Sequence, residues 1–235
     1  MAKTIDLNVA GGFPIRGWLA DCNPQFRCEF LALAGPKSFP AGSVLYQSGD
    51  AGGDVFGIRS GVTAVQFSFT HPDAILVHML WPGEWFGTFA ALVDQRRRIT
   101  AVARTDVELL RLPGNDLRAL LRRHPAWFAE LGRDAVYWTE LAAQGAADLL
   151  IRDASARCAA VLLRLAGWRW ASSLKAGQAI EIPASQTEFA MLCNVSRKTF
   201  SRVVREFANR RLVTVGYRSL TVIDPARLRV VADAG

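Results

Sequence analysis

Three histidines and four cysteines in 235 residues leave little from which to build a metal centre. The cysteines, Cys22, Cys28, Cys158 and Cys193, contain no CxxC pair. A zinc or iron–sulfur site needs thiolates or histidines converging at tight spacing. Scattered over a chain this long, the four make no disulfide framework, and each is expected to serve as a small buried hydrophobe. No run of about 18 uncharged apolar residues occurs, which argues against a membrane-spanning helix. The opening, Met1 to Trp18, has an early lysine but no apolar stretch behind it. That argues against a secretory signal, so the expected compartment is the cytoplasm. With no phosphate loop and no recognisable nucleophile–base pair, an enzyme has little support. Repeats and low-complexity tracts are also missing. Disorder is excluded by what remains: 51% of residues are hydrophobic and 21% charged, enough to bury a core in one large domain or two ordinary ones.

The charge is uneven. The net charge is +7, and from Pro183 to Gly235 nine bases face four acids. A basic end on a near-balanced body suggests a polyanionic partner, although a solvated basic surface has the same composition.

The first half reads as β-structure. Short apolar runs recur between glycine- or proline-centred breaks: Val44–Tyr46, Val55–Ile58, Val62–Phe69, Ile75–Leu80, Ile99–Ala103 and Val107–Leu112. Strands at this spacing predict a small sandwich or barrel over about residues 13 to 112. At Pro113 the period changes. Asn115 is expected to cap a short helix through Leu121. A longer helix starts near Pro125, since proline suits a first helical turn. Along it Phe128, Leu131, Ala135, Trp138, Ala142, Gly145 and Leu149 recur at alternating steps of three and four, an apolar seam suited to self-association. Packing on the chain's own β-domain is the other use of such a seam. Asp153 reads as a cap and a break. Cys158, Val161, Leu162 and Leu165 share a helical face beyond it, and Trp168–Pro183 reads as a loop or irregular strand.

Gln186 to Arg205 carries the strongest signal, that of a helix-turn-helix. Two short helices crossing steeply need apolar contacts at fixed offsets, and Phe189, Cys193, Val195, Phe200 and Val203 supply them, with Ala190 small at the crossing. Asn194 suits a left-handed turn. Ser185 with Glu188 forms a capping box, and Ser196 caps the second helix. That helix presents Arg197, Lys198, Thr199, Ser201, Arg202 and Arg205. Arginine pairs bidentately with guanine, and hydroxyls hold phosphates or bases. Thr187 and Ser196 complete the candidate DNA contacts. Leu212–Val215 and Leu220–Ile223 around Gly216-Tyr217-Arg218 read as a hairpin, making the unit winged.

Together these features resemble the CRP/FNR family of bacterial transcription regulators. The glycine-punctuated β-half, Pro82-Gly83-Glu84-Trp85-Phe86-Gly87, the long helix, Asp153-Ala154-Ser155-Ala156-Arg157 and, most specifically, Val195-Ser196-Arg197-Lys198-Thr199-Phe200-Ser201-Arg202 carry the likeness over roughly residues 20 to 225. The resemblance implies an α+β chain in three parts. A β-roll effector domain, like a cyclic-nucleotide-binding jelly roll, covers 13–124. A dimerisation helix and hinge cover 125–152, with the hinge at Ile151–Asp153. A winged helix-turn-helix covers 153–235. It implies a homodimer on a palindromic double-stranded site, with RNA polymerase as a further partner and no membrane. Arg197 and Arg202 fall where the family's DNA-contacting arginines lie, and Ser201 matches the FNR-like branch. The family usually has Glu where this chain has Lys198. A donor there in place of an acceptor predicts a half-site unlike the usual consensus.

Cyclic-nucleotide binders of the family follow that turn with Gly-Glu and, about ten residues on, Arg-Ser or Arg-Thr. Here Gly87 precedes Thr88, and Arg98 is followed by Ile99 and then Thr100. A phosphate could still meet Arg98 and the Thr100 hydroxyl, but the ribose carboxylate is missing, so the usual cyclic-AMP contacts are not expected. The Arg96–Arg98 run also reads as an exposed turn. Iron–sulfur sensing fails on cysteine count, and haem would require His71 or His78 as a ligand. No metal or resident cofactor is expected, and Trp81, Trp85, Phe86, Phe89 and Trp138 fit either core packing or an apolar effector. A ligand-independent member stays open. So does a ligand-binding or scaffold protein whose basic C-terminal domain holds an anionic or protein partner without sequence preference.

Overall fold

The computed structural model describes residues 9–10, 13–67, 75–167 and 179–235. Phe69, His71 and most of the loop expected at 168–183 lie outside the described residues. The chain divides after Thr139 into two compact units, Met1–Thr139 and Glu140–Gly235.

The first unit opens with β1 (Val9–Ala10) paired to β2 (Phe13–Pro14), then a 3-10 turn at Gly17–Asp21 and α1 (Pro24–Ala32). Two four-stranded antiparallel sheets follow. One has β3 (Gly35–Phe39), β5 (Val55–Ser60), β8 (Trp85–Phe86) and β10 (Val107–Leu112), in the order β3-β10-β5-β8. The other has β4 (Val44–Tyr46), β6 (Thr63–Phe67), β7 (Ile75–Leu80) and β9 (Thr100–Ala103), in the order β4-β9-β6-β7. The short helix α2 (Thr88–Val93) leaves β8, and α3 (Gly114–Arg123) follows β10.

The inner faces of the sheets meet in one core of Tyr46, Phe56, Ile58, Val65, Leu80, Phe86, Ala101 and Leu109, with Trp138 packed against it. A second core lies between the β10 sheet and the helices, built from Phe26, Phe30, Val55, Trp85, Leu110, Leu112, Leu117 and Leu131. β10 serves both because strand side chains alternate: Val107 and Leu109 face one core, Leu110 and Leu112 the other. Gly57 is required by packing. Its strand partner is Trp85, and a Cβ at Gly57 would sit 2.4 Å from the indole.

α4 (Phe128–Leu150) follows a 3-10 turn at Pro125–Trp127. Its seven expected seam residues share one face but are covered unequally. Leu131 is buried in the helix-side core and Trp138 packs on the inter-sheet core, both within the first unit. Phe128, Ala142 and Leu149 are exposed, and Ala135 is half-buried. Eighteen residues make five whole turns, so Leu131 and Leu149 point the same way; their different burial comes from what packs along the helix and not from its rotation.

In the second unit, α5 (Ala154–Leu165) is buried on nearly every side and capped by Asp153, whose carboxylate accepts from Ala156 N at 2.8 Å. β11 (Ile180–Ile182), α6 (Gln186–Leu192), α7 (Arg197–Asn209), β12 (Val213–Gly216), β13 (Ser219–Val222) and α8 (Pro225–Ala232) follow. The hairpin is completed to a three-stranded sheet, β11-β13-β12. The fold is α+β, with an N-terminal β-sandwich, a long helix and a C-terminal helix-turn-helix. One cap differs from expectation. α3 begins at Gly114 after Pro113, so Asn115 lies inside its first turn and accepts from Arg118 at 2.5 Å instead.

Candidate nucleic-acid interface and effector pocket

α6 and α7 are set by their caps. Ser185 Oγ accepts from Glu188 N at 3.2 Å, and Glu188 Oε2 accepts from Ser185 N at 2.8 Å. At the corner Asn194 takes φ 48°, the left-handed region that asparagine tolerates. Ser196 Oγ then accepts from Thr199 N at 3.0 Å and starts α7. Beneath the corner Phe189 and Phe200 stack at 5.5 Å, among buried Ala190, Cys193, Val203 and Phe207. Replacing Ser196 by alanine should lower the unfolding free energy by about 1 kcal/mol in chemical denaturation, because one helix-end N–H loses its acceptor.

With its apolar face committed, α7 turns its cationic face outward. Ser196, Arg197, Lys198, Arg202 and Arg205 are exposed, Thr199 and Ser201 half-buried, and Thr187 on α6 is exposed. Arg202 pairs with Glu206 one turn on at 3.0 Å. No acid occupies the first turn of α7. Arg197 and Lys198 therefore add positive charge at the helix end whose dipole is already positive. That costs stability unless an anion approaches. Beside it, the wing ends in a two-residue loop between Gly216 and Ser219, where Tyr217 is 93% exposed next to Arg218. Sequence reasoning left both out of the contact set. An aromatic and a cation at a hairpin tip were the signal available.

The β-sandwich interior holds the other candidate site. Gly87 caps α2 at φ 90°, and a Cβ there would sit 2.7 Å from the Arg97 guanidinium. Arg97 donates to Gly87 O at 3.1 Å and to Asp54 O at 2.5 Å, and its guanidinium lies 4.3 Å from the centre of the Tyr46 ring. Tyr46 completes an aromatic group with Phe56 and Phe86. The expected arginine is therefore corrected. Arg98 is exposed, and Arg97 takes the inward place beside Gly87 and the buried Thr88. Arg96 and Arg98, on either side of it, are exposed. Ile99 and Thr100 are half-buried, and the Thr100 hydroxyl is engaged by Ser48 N at 3.1 Å.

Two carboxyls of this unit, the buried Asp134 and the half-buried Glu84, escaped the sequence reading. Asp134, on α4, has the Thr88 hydroxyl and the Trp138 indole beside it, and burial pushes it up to about 7. Burial also raises Glu84, which accepts from Trp81 N at 2.6 Å and from the Tyr137 hydroxyl. For Asp134 the folded state holds a proton that the unfolded chain releases near 3.8. Stability is then greatest below that value, falls as pH rises toward about 7, and levels off above. Asp134→Asn should flatten this slope and raise stability at pH 8 by on the order of 2–4 kcal/mol, read by denaturant titration at several pH values. Glu84 titrates with the same sign and should leave a residual slope.

His78 is buried in β7, and among the described residues no three metal-ligating side chains gather. Cys22, Cys158 and Cys193 are buried as expected of small hydrophobes, whereas Cys28 is exposed.

The family model of the cyclic nucleotide-binding domain matches residues 36–124, and that of the Crp-like helix-turn-helix domain matches 156–231. The chain belongs to the CRP/FNR family of transcription regulators. It is 29% identical to the cyclic AMP receptor protein of Thermus thermophilus, over 83% of this chain and 87% of that one. It is 26% identical to a CRP-like cAMP-activated global transcriptional regulator of Mycobacterium tuberculosis, over 82% and 86%. The c-di-GMP-responsive regulator CLP of Xanthomonas campestris shares the fold with a TM-score of 0.63 at 19% identity, over 86% of this chain and 99% of that one. Like these CRP/FNR relatives, the chain is a transcription regulator with a helix-turn-helix DNA-binding domain. The relatives are regulators rather than enzymes, and no helix among the described residues is long and apolar enough to cross a membrane.

Proposed function

We propose that this chain acts as a cytoplasmic homodimer that reads a palindromic double-stranded site and engages RNA polymerase. Its β-roll answers a signal by other than the usual cyclic-AMP contacts. The outward cationic start of α7, capped by Ser196 with no acid in its first turn, carries the reading. Arg197, Lys198, Thr199, Ser201 and Arg202 meet bases and phosphates, with Ser196 and Thr187 on the flanking backbone. Phe128, Ala135, Ala142 and Leu149, with Val136, face the second copy. Leu131 is withdrawn from that surface by its burial. Residues 151–153, between the two helices, act as the hinge through which the signal shifts the dimer between geometries.

Two relatives are named for cyclic AMP. In this chain Thr88 replaces the ribose carboxylate, and the inward arginine already serves two carbonyls and a tyrosine ring. The guanidinium keeps Nε free of these contacts, but a cyclic nucleotide there would still lack the carboxylate for its ribose. The test is binding-site selection with the purified protein, with and without cyclic AMP. The expected result is a palindrome bound at least about 10³-fold more tightly than random DNA, with no effect of cyclic AMP. Equal affinity for random DNA would refute the reading.

A further inference from the structure

Among the described residues four non-glycines take a positive φ: Asp94, Asn194, Arg211 and Arg218. Aspartate and asparagine tolerate the left-handed region, because a short polar side chain bonds locally there, whereas arginine gains nothing from it. The two arginines flank β12. Arg211, at φ 58°, turns the chain just past α7, a place that helices usually give to glycine. Arg218, at φ 51°, is the second residue of the two-residue loop between β12 and β13, where a positive φ again favours glycine or asparagine. The same hairpin keeps glycine where packing demands it, since a Cβ at Gly216 would sit 2.5 Å from Ser219 Oγ. Both arginines are exposed, and so is Tyr217 between Gly216 and Arg218. Two long cations are thus held where a smaller residue would be more stable, so stability does not account for them.

We propose that Arg218 enters the minor groove flanking each half-site and selects A·T pairs there, while Arg211 holds the phosphates between the two grooves. The wing is carried by α7. Leu212 N donates to Phe207 O at 2.9 Å and Ile223 N to Leu212 O at 2.9 Å, over buried Leu212, Val213, Leu220 and Val222. β12 packs against α7, so a helix docked in a major groove brings the hairpin to the duplex with it. The four residues of β12 span about 13 Å. Neighbouring grooves on one side of a duplex stand about 17 Å apart, half of a 34 Å turn. The arginine side chain covers the remainder.

A·T runs narrow the minor groove and deepen its negative potential, and a guanidinium gives up its hydration there more readily than an ammonium. An A·T pair shows this groove only acceptors, whereas G·C adds an amino donor that meets a cation badly. Tyr217 beside it offers a flat apolar ring to the sugar wall and a hydroxyl to a phosphate. The placement of the wing rests on the proposed docking of α7, whereas the groove preference of Arg218 is a property of the hairpin tip.

The experiment uses the full chain. Binding-site selection should return A·T enrichment on both flanks, outside the bases that face α7. Exchanging those flanks for G·C should weaken wild-type binding at least about fivefold by fluorescence anisotropy, and Arg218→Gly should remove that difference. Arg218→Lys should keep the salt dependence and narrow the flank difference. Arg211→Gly should instead weaken binding to every flank alike and lower the salt slope by about 1. Both glycine variants should melt at or above the wild-type temperature, which a structural role for either arginine would not allow. Wild-type affinities within twofold on the two flanks overturn the proposal. So does a flank preference that survives Arg218→Gly. If selection returns no specific site, the regulatory reading falls, and plain A·T and G·C duplexes then decide the wing: equal wild-type affinity, or a preference kept by Arg218→Gly, overturns it.

Discussion

Arg164→Ala is expected to lower the unfolding free energy by about 3–5 kcal/mol, enough to remove much of an ordinary domain's stability. Arg164 lies in α5 and its Nε donates to Asp148 Oδ2, near the end of α4, at 2.9 Å. Both side chains are enclosed, at 6% and 0% exposure. A buried ion pair formed from water contributes little, because desolvating two charges offsets their attraction. Removing one partner is different, since the remaining carboxylate keeps its desolvation cost and loses its counter-charge. Replacing both, as Arg164→Met with Asp148→Leu, should therefore cost much less than Arg164→Ala alone. Chemical denaturation of the three variants checks this. A single-mutant loss below 1 kcal/mol would mean that water or another cation reaches Asp148. The pair also locates Gly145. A Cβ there would make an ordinary contact, 3.7 Å from the Arg164 guanidinium carbon, so this seam position faces α5 within the same unit.

Asp148 and Arg164 show why part of the molecule was illegible in the sequence. Each reads as an ordinary charged helical residue, and only the turn between α4 and α5 brings them together. The same holds for Asp134, which a helical wheel places among apolar neighbours without saying what covers it. Arg97 and Arg98 differ by one position, and a spacing rule cannot resolve one residue. Both lie in the irregular segment before β9, where only the tertiary contacts of Arg97 decide which side chain is inside. α1 and α8 were legible but unread. Asn23-Pro24 and Asp224-Pro225 are each a capping side chain followed by proline, and both caps form. β3 carries no apolar alternation and is mostly exposed, so nothing local marks it. The strands from Val44 to Leu112 and the helix-turn-helix were legible because there local and tertiary demands coincide. Glycine breaks, β-branched runs, two serine caps and one left-handed asparagine each specify the element that packing then uses.

Arg197→Ala is expected to weaken binding to the selected site by roughly 5- to 150-fold for each half-site, the range for losing a bidentate base contact. In a homodimer the change enters twice, so the free-energy loss on the full palindrome should approach double that on a half-site. Random DNA should be bound almost as before, apart from a salt slope shallower by about 1 for each phosphate contact removed. Arg202 begins from its pair with Glu206, with the two side chains 62% and 51% exposed. A pair that open costs little to break, so Arg202 can transfer to DNA at small expense. Lys198→Glu separates base reading from charge. Both side chains are long, but the ammonium only donates and the carboxylate only accepts. The variant should shift the selected base at that position toward cytosine, whose N4 amino group donates into the major groove. Mere electrostatic attraction would lower affinity for every sequence alike and leave the selected base unchanged. A selection repeated on Lys198→Glu therefore distinguishes a helix that reads base edges from one that is only drawn to phosphate.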